Sequence, residues 1–160
     1  MVTAKYTKEQ VLDLIESVPD PEIPVLSVRD LGVVRDVEIG PEAVRVSVTP
    51  TYSGCPAMHA IERAIENRLR QAGIENVRVD RVYDEPWTSD WMTDAGRDKL
   101  RAFGISPPKR SADHTEGKPA PCPRCGSGET ELRSFFGSTA CKSLHYCPSC
   151  EEPFEAFKCI

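Results

Sequence analysis

The 160-residue sequence predicts an α/β fold: a compact mixed-sheet α/β sandwich followed by a much smaller second domain. Three observations carry this. Helical and strand periodicities alternate over residues 7–104. A stretch with four prolines and no apolar periodicity follows at 105–121. Beyond it stand two Cys-x-x-Cys pairs, Cys122/Cys125 and Cys147/Cys150, the spacing of a small metal-stapled ribbon.

The first element is a helix. Thr7-x-x-Gln10 is a capping-box pattern, and Val11, Leu12, Leu14, Ile15 and Val18 share one face until Pro19 stops it. Val33–Ile39 and Ala43–Thr49 flank Gly40-Pro41 as a hairpin. In its second arm Val44, Val46 and Val48 alternate with Arg45 and Ser47, so one face is buried. A helix from about Pro56 to Ala72 follows, with Ala57, Ile61, Ala64, Ile65 and Leu69 as its apolar stripe and Gly73 positioned to end it. Val77–Tyr83 reads as a third strand. Thr93–Phe103 reads as a last short helix, with Leu100 and Phe103 inward and Gly104 closing it. The order helix, hairpin, helix, strand, short helix gives a mixed sheet with helices on one face.

The stretch 105–121 reads as a semi-stiff linker. This divides the chain into a domain at 1–104, a linker at 105–121 and a ribbon at 122–160. The ribbon's strands are expected around Glu129–Phe135, Ser143–Tyr146 and Pro153–Lys158.

Apolar residues make up 39% and charged residues 28% of the chain, the balance of a globular protein. No apolar run approaches the ~20 residues of a membrane span, and Met1–Tyr6 lacks the apolar core of a signal peptide. A cytoplasmic, reducing location follows, in which the seven cysteines are thiols rather than a disulfide framework. The net charge is −5, with 13 Lys/Arg against 18 Asp/Glu over residues 1–104. In the ribbon only Arg124, Arg133, Lys142 and Lys158 stand against five glutamates. That balance disfavours nucleic acid, whose binding depends on phosphate neutralisation; neither nucleic acid nor membrane is expected as a partner.

Two tight Cys-x-x-Cys turns aim four thiolates at one point. That is the tetrahedral S₄ arrangement of a structural zinc site, which a single iron shares. A module of this length is too small to bury a self-sufficient core, so the metal's first role is folding. A closed site with no open coordination position argues against hydrolysis there.

The second candidate is Thr49-Pro-Thr-Tyr-Ser-Gly-Cys-Pro56. A strand ends, a Gly-containing loop follows, and Cys55 falls at the N-cap of the next helix with Pro56 at N1. Its sulfur would meet unpaired N–H groups and the positive end of the helix dipole, both favouring thiolate. The competing reading is a small residue fitting a tight turn. The third candidate is Asp20-Pro-Glu-Ile-Pro24. Proline holds the Asp20 and Glu22 carboxylates in place to help ligate a metal or orient Cys55, unless Asp20 is a turn cap and Glu22 a solvated charge. Asp30 is read as turn-stabilising.

The segments Asp20–Val34 and Thr49–Pro56 resemble the two signature segments of the SufT-like iron–sulfur assembly family. Phe136-Gly-Ser-Thr-Ala-Cys-Lys142 and Glu152–Cys159 resemble the C-terminal half of the PaaD (PaaJ) family of phenylacetate degradation. Together these resemblances span nearly the whole chain. They imply an accessory, non-catalytic protein of the phenylacetyl-CoA epoxidase system. In that system a di-iron oxygenase and a flavin/iron–sulfur reductase act on phenylacetyl-CoA. The implied role is maturation of an iron–sulfur or iron centre held transiently through Cys55, with Asp20 and Glu22 beside it. The implied partners are the oxygenase or reductase component, with a homodimer as a further alternative. A stably bound structural component is the rival reading. A Cys-x-x-Cys redox enzyme and a nucleic-acid ribbon are weaker ones.

Cys141 and Cys159 are surplus to the S₄ site and read as stray thiols before a second ligand pair. His145 is a minor candidate as a replacement ligand. His59 lies one turn after Cys55 and reads as an exposed polar position before a tuner of its thiolate. Trp87 and Trp91 read as packing residues before an interaction surface.

Overall fold

A computed structural model describes residues 5–113 and 118–159. Met1–Ala4, His114–Gly117 and Ile160, which the leader, linker and ribbon readings include, lie outside the described residues. The chain divides into two compact units, Met1–Trp87 and Thr88–Ile160.

In the first unit the capping box forms as expected. Thr7 Oγ1 accepts from the Gln10 N–H at 3.3 Å, and Gln10 Oε1 accepts from the Thr7 N–H at 2.8 Å. Helix α1 runs Lys8–Glu16 and buries Val11 and Ile15. Strands β1 (Val34–Ile39) and β2 (Val44–Val48) pair antiparallel. Strand β3 (Val77–Arg81) then pairs parallel to β2, giving the order β1-β2-β3. A parallel pair needs a crossover, which helix α2 (Met58–Gln71) supplies. Gly73, at φ 91°, ends α2 in a conformation that only glycine adopts without strain. The helix stripe of Ile61, Ile65 and Leu69 and the strand stripe of Val44, Val46 and Val48 are all buried. Each fully buried aliphatic side chain contributes about 1.5–3 kcal/mol.

The second unit holds a short 3₁₀ turn at Ser89–Trp91, helix α3 (Asp94–Ala102) and four strands. These are β4 (Ile105–Ser106), β5 (Glu131–Ser134), β6 (Lys142–Cys147) and β7 (Glu152–Phe157), in the order β4-β7-β6-β5. The three ribbon strands lie where the sequence places them, each with slightly different ends. Strand β4 is new: it pairs parallel to β7 at Ile105↔Glu155 and Ser106↔Ala156.

This division does not coincide with the boundary read at 105–121. The start of that stretch is tied into the ribbon sheet through β4, and α3 is clustered with it. The buried Arg97 of α3 donates to the Ser89 carbonyl at 2.7 Å and to the Pro108 carbonyl, bracing residues on both sides of the helix. One inward assignment also reverses. Leu100 is buried, but Phe103 is 62% exposed because it is the C-cap of α3 and leaves the apolar stripe.

Candidate metal centre and thiol site

The ribbon's four cysteines converge. Cys122 Sγ lies 3.7 Å from Cys150 Sγ, and Cys125 Sγ lies 3.6 Å from Cys147 Sγ. All four sulfurs fall within 4.8 Å of one another. A tetrahedron with Zn–S bonds of about 2.3 Å has S···S edges of about 3.8 Å, so the thiols already stand at metal-bound spacing. The turns that carry them follow from local sequence. In the first, Gly126, at φ 76°, donates its N–H to the Cys122 carbonyl at 2.9 Å.

Backbone N–H groups point at the sulfurs: Ser127 at Cys125, Ser149 and Cys150 at Cys147, and Glu152 at Cys150. Burial pushes Cys147 up. The N–H groups of Cys150 and Ser149, with the Cys125 thiol, outweigh it and bring Cys147 down to about 7. Cys150 is pushed up to about 12, by burial and by the three neighbouring thiols. Four gathered sulfurs cannot all ionise without a cation between them, and a divalent metal is the natural one. The residues therefore fit a closed, structural zinc site. Beneath them Cys122, Cys147, Phe154 and Ala156 form a buried cluster, with Ala120 and Cys150 packed against it.

Among the described residues this is the one convergent group of three or more His, Cys, Asp or Glu side chains. His145 is not in it. Its Nε2 lies 2.9 Å from Ser143 Oγ, and its ring stacks on Phe154 at 5.3 Å. Cys141 is buried with its sulfur 3.0 Å from Thr139 Oγ1, whereas Cys159 is exposed and directed at the Lys109 carbonyl at 3.9 Å.

In the first unit Cys55 lies where β2 has ended and α2 has not begun, at the carboxyl end of a sheet strand, where α/β folds commonly bind ligands. It is not the N-cap. Its N–H bonds to the Tyr52 carbonyl at 3.3 Å and its own carbonyl accepts from Met58 at 3.4 Å, so two tight turns delay the helix until Ala57 caps it. The expectation of a favoured thiolate is overturned as well. Burial pushes the Cys55 thiol up, and the Glu22 and Asp20 carboxylates push the same way. The Ala57 N–H and the Tyr52 side chain favour thiolate but do not outweigh them. Cys55 is half-buried, and its surroundings favour the thiol over the thiolate.

The Pro19–Ser27 loop brings those carboxylates there. Its ends meet in an isolated Pro19↔Ser27 bridge, and the Asp20 N–H donates to the Leu26 carbonyl at 2.8 Å. Asp20 is 5% exposed and its Oδ1 accepts from the N–H groups of Glu22 (2.9 Å) and Ile23 (2.7 Å), which makes it the loop's turn cap. Glu22 is half-buried. Asp30 plays the turn role read for it: its Oδ2 accepts from the Ser27 N–H at 3.2 Å while Ser27 Oγ accepts from the Asp30 N–H at 3.0 Å. His59 is 85% exposed beside Glu62. Trp87 is buried, with its Nε1–H donated to the Leu31 carbonyl at 2.9 Å. Sequence reasoning misses Tyr52, whose side chain reaches Cys55 from three residues upstream; its place within the same tight loop is the available signal. A cavity of about 670 Å³ lies at the hairpin end of the sheet, lined by Glu38–Ala43 and Glu75–Arg78, away from this turn.

Fold and site together define a class: an α/β domain with one poised thiol, joined to a metal-stapled ribbon. A sequence model for an iron–sulfur cluster assembly protein matches residues 8–82, and one for the PaaD zinc beta ribbon domain matches residues 106–158. The chain is 48% identical over 152 residues to a protein of Escherichia coli (strain K12) described as a 1,2-phenylacetyl-CoA epoxidase subunit, covering 94% of this chain and 92% of that one. It belongs to the PaaD family. It is also 32% identical over 90 residues to an Fe-S protein maturation auxiliary factor of Porphyromonas gingivalis (strain W83), covering 55% of this chain and 85% of that one. Two solved structures share the fold. A conserved hypothetical protein of Thermotoga maritima does so at 35% identity and TM-score 0.52, over 62% of this chain and 98% of its own. A DUF59 domain of Bacillus anthracis does so at 24% identity and TM-score 0.54, over 58% and 90%. Among the described residues no helix is long and apolar enough to cross a membrane.

Proposed function

We propose that this chain is an accessory maturation protein of a 1,2-phenylacetyl-CoA epoxidase system, assisting assembly of an iron–sulfur or iron centre through Cys55. The observation that carries the reading is the Cys55 turn. One half-buried thiol sits under the influence of two loop-held carboxylates, inside the segment that matches an iron–sulfur assembly protein. A thiol with carboxylates nearby offers mixed soft and hard ligands suited to iron. Because the thiol must lose its proton to bind, holding the cargo releases a proton and stays reversible. Reversibility suits a carrier better than a resident site. In this reading the assembly role falls to the first unit. The zinc ribbon, whose metal has no open position, is a scaffold for docking on the oxygenase or reductase component in the cytoplasm.

The test is the iron and labile-sulfide content of both components purified from cells carrying wild type, Cys55→Ser or no copy of this chain. Reduced loading with Cys55→Ser, equal to that without the protein, is expected. Full loading would sink the assembly role of Cys55.

A second reading is favoured by the likeness to an Escherichia coli protein described as an epoxidase subunit: a structural part that stays bound. It predicts a stoichiometric complex surviving purification and insensitive to Cys55→Ser, whereas a maturation factor dissociates once loading is complete.

A further inference from the structure

We infer that the Phe135–Phe136 tip of the ribbon, with Lys158 set between the two rings, is the surface by which the chain docks on a component of the epoxidase system. The occupant is a protein surface presenting an apolar side chain next to a carboxylate. The inference rests on the partner class proposed above and adds where, and by what chemistry, that partner is held.

Single exposed apolar residues are ordinary, but clusters of them mark interaction sites. Among the described residues five large hydrophobic side chains are exposed, and three of them fall between positions 132 and 136: Leu132 at 56%, Phe135 at 63% and Phe136 at 63%. The two rings meet edge to face at 5.5 Å.

The loop that presents them is held at several points. Ser134 Oγ donates to the Phe136 carbonyl at 2.8 Å, and the Gly137 N–H donates to the Lys142 carbonyl at 2.7 Å. The Ser138 N–H and hydroxyl both donate to the Glu155 carboxylate, at 2.6 and 2.9 Å. Glu155 in turn faces Lys142 at 3.5 Å, whose side chain is only 6% exposed. Gly137 leaves room for that carboxylate, since a Cβ there would collide with Glu155 Oε2. A braced loop that still leaves two phenylalanines in water has lost its ordering entropy before any partner arrives, which favours tight association.

The charges indicate what arrives. Arg133 is paired with Glu131 at 2.7 Å and Lys142 with Glu155, but no carboxylate pairs with Lys158 among the described residues. Its Nζ lies 4.1 and 4.2 Å from the Phe135 and Phe136 ring centres and spends one donor on the Ala140 carbonyl at 2.8 Å. An ammonium flanked by two rings is partly desolvated, so an incoming carboxylate meets it in a medium of low dielectric. Self-association through the sheet edge fits less well. β5 is a four-residue edge strand with a register break between Leu132 and Ser134, and short, bulged edges resist pairing.

The experiment titrates the full-length, zinc-loaded protein against each purified epoxidase component by calorimetry, with sedimentation of the protein alone. Phe135→Ser/Phe136→Ser and, separately, Lys158→Glu are each expected to weaken binding about 30-fold or more, as central anchors do. Phe103→Ser, an equally exposed aromatic on α3, is expected to bind as wild type. Zinc stoichiometry and thermal midpoint confirm that the variants are folded. Wild-type binding that both ribbon variants retain overturns this surface and leaves the proposed function standing. Wild type that binds neither component overturns the proposed partners and this inference with them. Self-association of the wild type that the Phe135→Ser/Phe136→Ser protein loses overturns it in favour of a second copy as occupant.

Discussion

Stripping the zinc should unfold the ribbon and spare the first unit. Around the cysteines the buried cluster contains one large side chain, Phe154, with Ala156, Cys122 and Cys147, and elsewhere in the same sheet β7 and β4 bury Phe157 and Ile105. At about 1.5–3 kcal/mol for a fully buried large side chain, those three side chains supply about 5–9 kcal/mol before chain entropy is counted. A structural zinc in comparable modules contributes roughly 10–16 kcal/mol, as much as the ~5–15 kcal/mol of net stability typical of a whole domain. The first unit, by contrast, buries Val11, Ile15, Val46, Val48, Ile65 and Leu69 completely, and among the described residues it gathers no cluster of three or more metal-ligating side chains. Chelation followed by amide hydrogen exchange reads both halves at once. Protection in β6 and β7 should fall to that of an unfolded chain, while α2 and β2 keep theirs. Cys147→Ser should reproduce this without chelator. Unchanged protection in β6 and β7 after stoichiometric zinc release would refute the view that the metal, not the apolar cluster, holds the ribbon.

Other expectations follow from particular contacts. Burial, Glu22 and Asp20 raise the Cys55 thiol, so its alkylation rate should reach half-maximum above the ~8.5 of a free cysteine, and Glu22→Gln should lower that midpoint; mass spectrometry of the Cys55 peptide at graded pH measures it. Linkage gives the matching sign for stability: the folded state holds this proton longer than the unfolded state, so its contribution is present below pH ~8.5 and is lost as pH rises through the folded value. Asp20→Asn keeps the Oδ1 acceptor and should leave urea stability nearly unchanged, whereas Asp20→Ala strands two backbone N–H groups at a loss of about 1–3 kcal/mol. Gly137→Ala drives a Cβ into Glu155 and breaks its bonds to Ser138, which should lower the ribbon's thermal midpoint with zinc still bound.

Much of this architecture is written locally and is therefore legible. The Thr7/Gln10 capping box, the Val44/Val46/Val48 alternation and the paired cysteine turns each depend on residues a few positions apart. What the sequence hides depends on distant partners. Strand β4 exists because Ile105 and Ser106 lie along β7, fifty residues away, and no local pattern in a proline-rich stretch announces that. Periodicity alone assigns Phe103 inward, and periodicity carries no information on where the helix stops. Cys55 differs for another reason. Pro56 suggests a helix start, but the turn closed by Tyr52 comes first, and burial rather than helix polarity sets the thiol's charge. The carboxylates of Asp20 and Glu22 do bear on Cys55, although hydrogen bonding makes Asp20 a cap first.

The two thiol sites differ in what they offer a metal, four converging sulfurs against one, and that difference supports a division of labour. At the ribbon, backbone N–H groups and four clustered sulfurs create a demand for a cation that only a tightly held metal meets, and every coordination position is then filled by the chain itself. Such a site has nothing to exchange. At Cys55 the surroundings oppose ionisation, a single sulfur leaves most of any iron's coordination positions open, and the turn is half accessible. A weak, proton-coupled, incompletely filled site is what passing cargo between proteins requires, because affinity high enough to retain the metal would prevent its delivery. On the proposed function, a permanent metal in the ribbon and a transient one at Cys55 would share one chain without competing, because a site closed by four sulfurs and a site offering one sulfur suit different tasks.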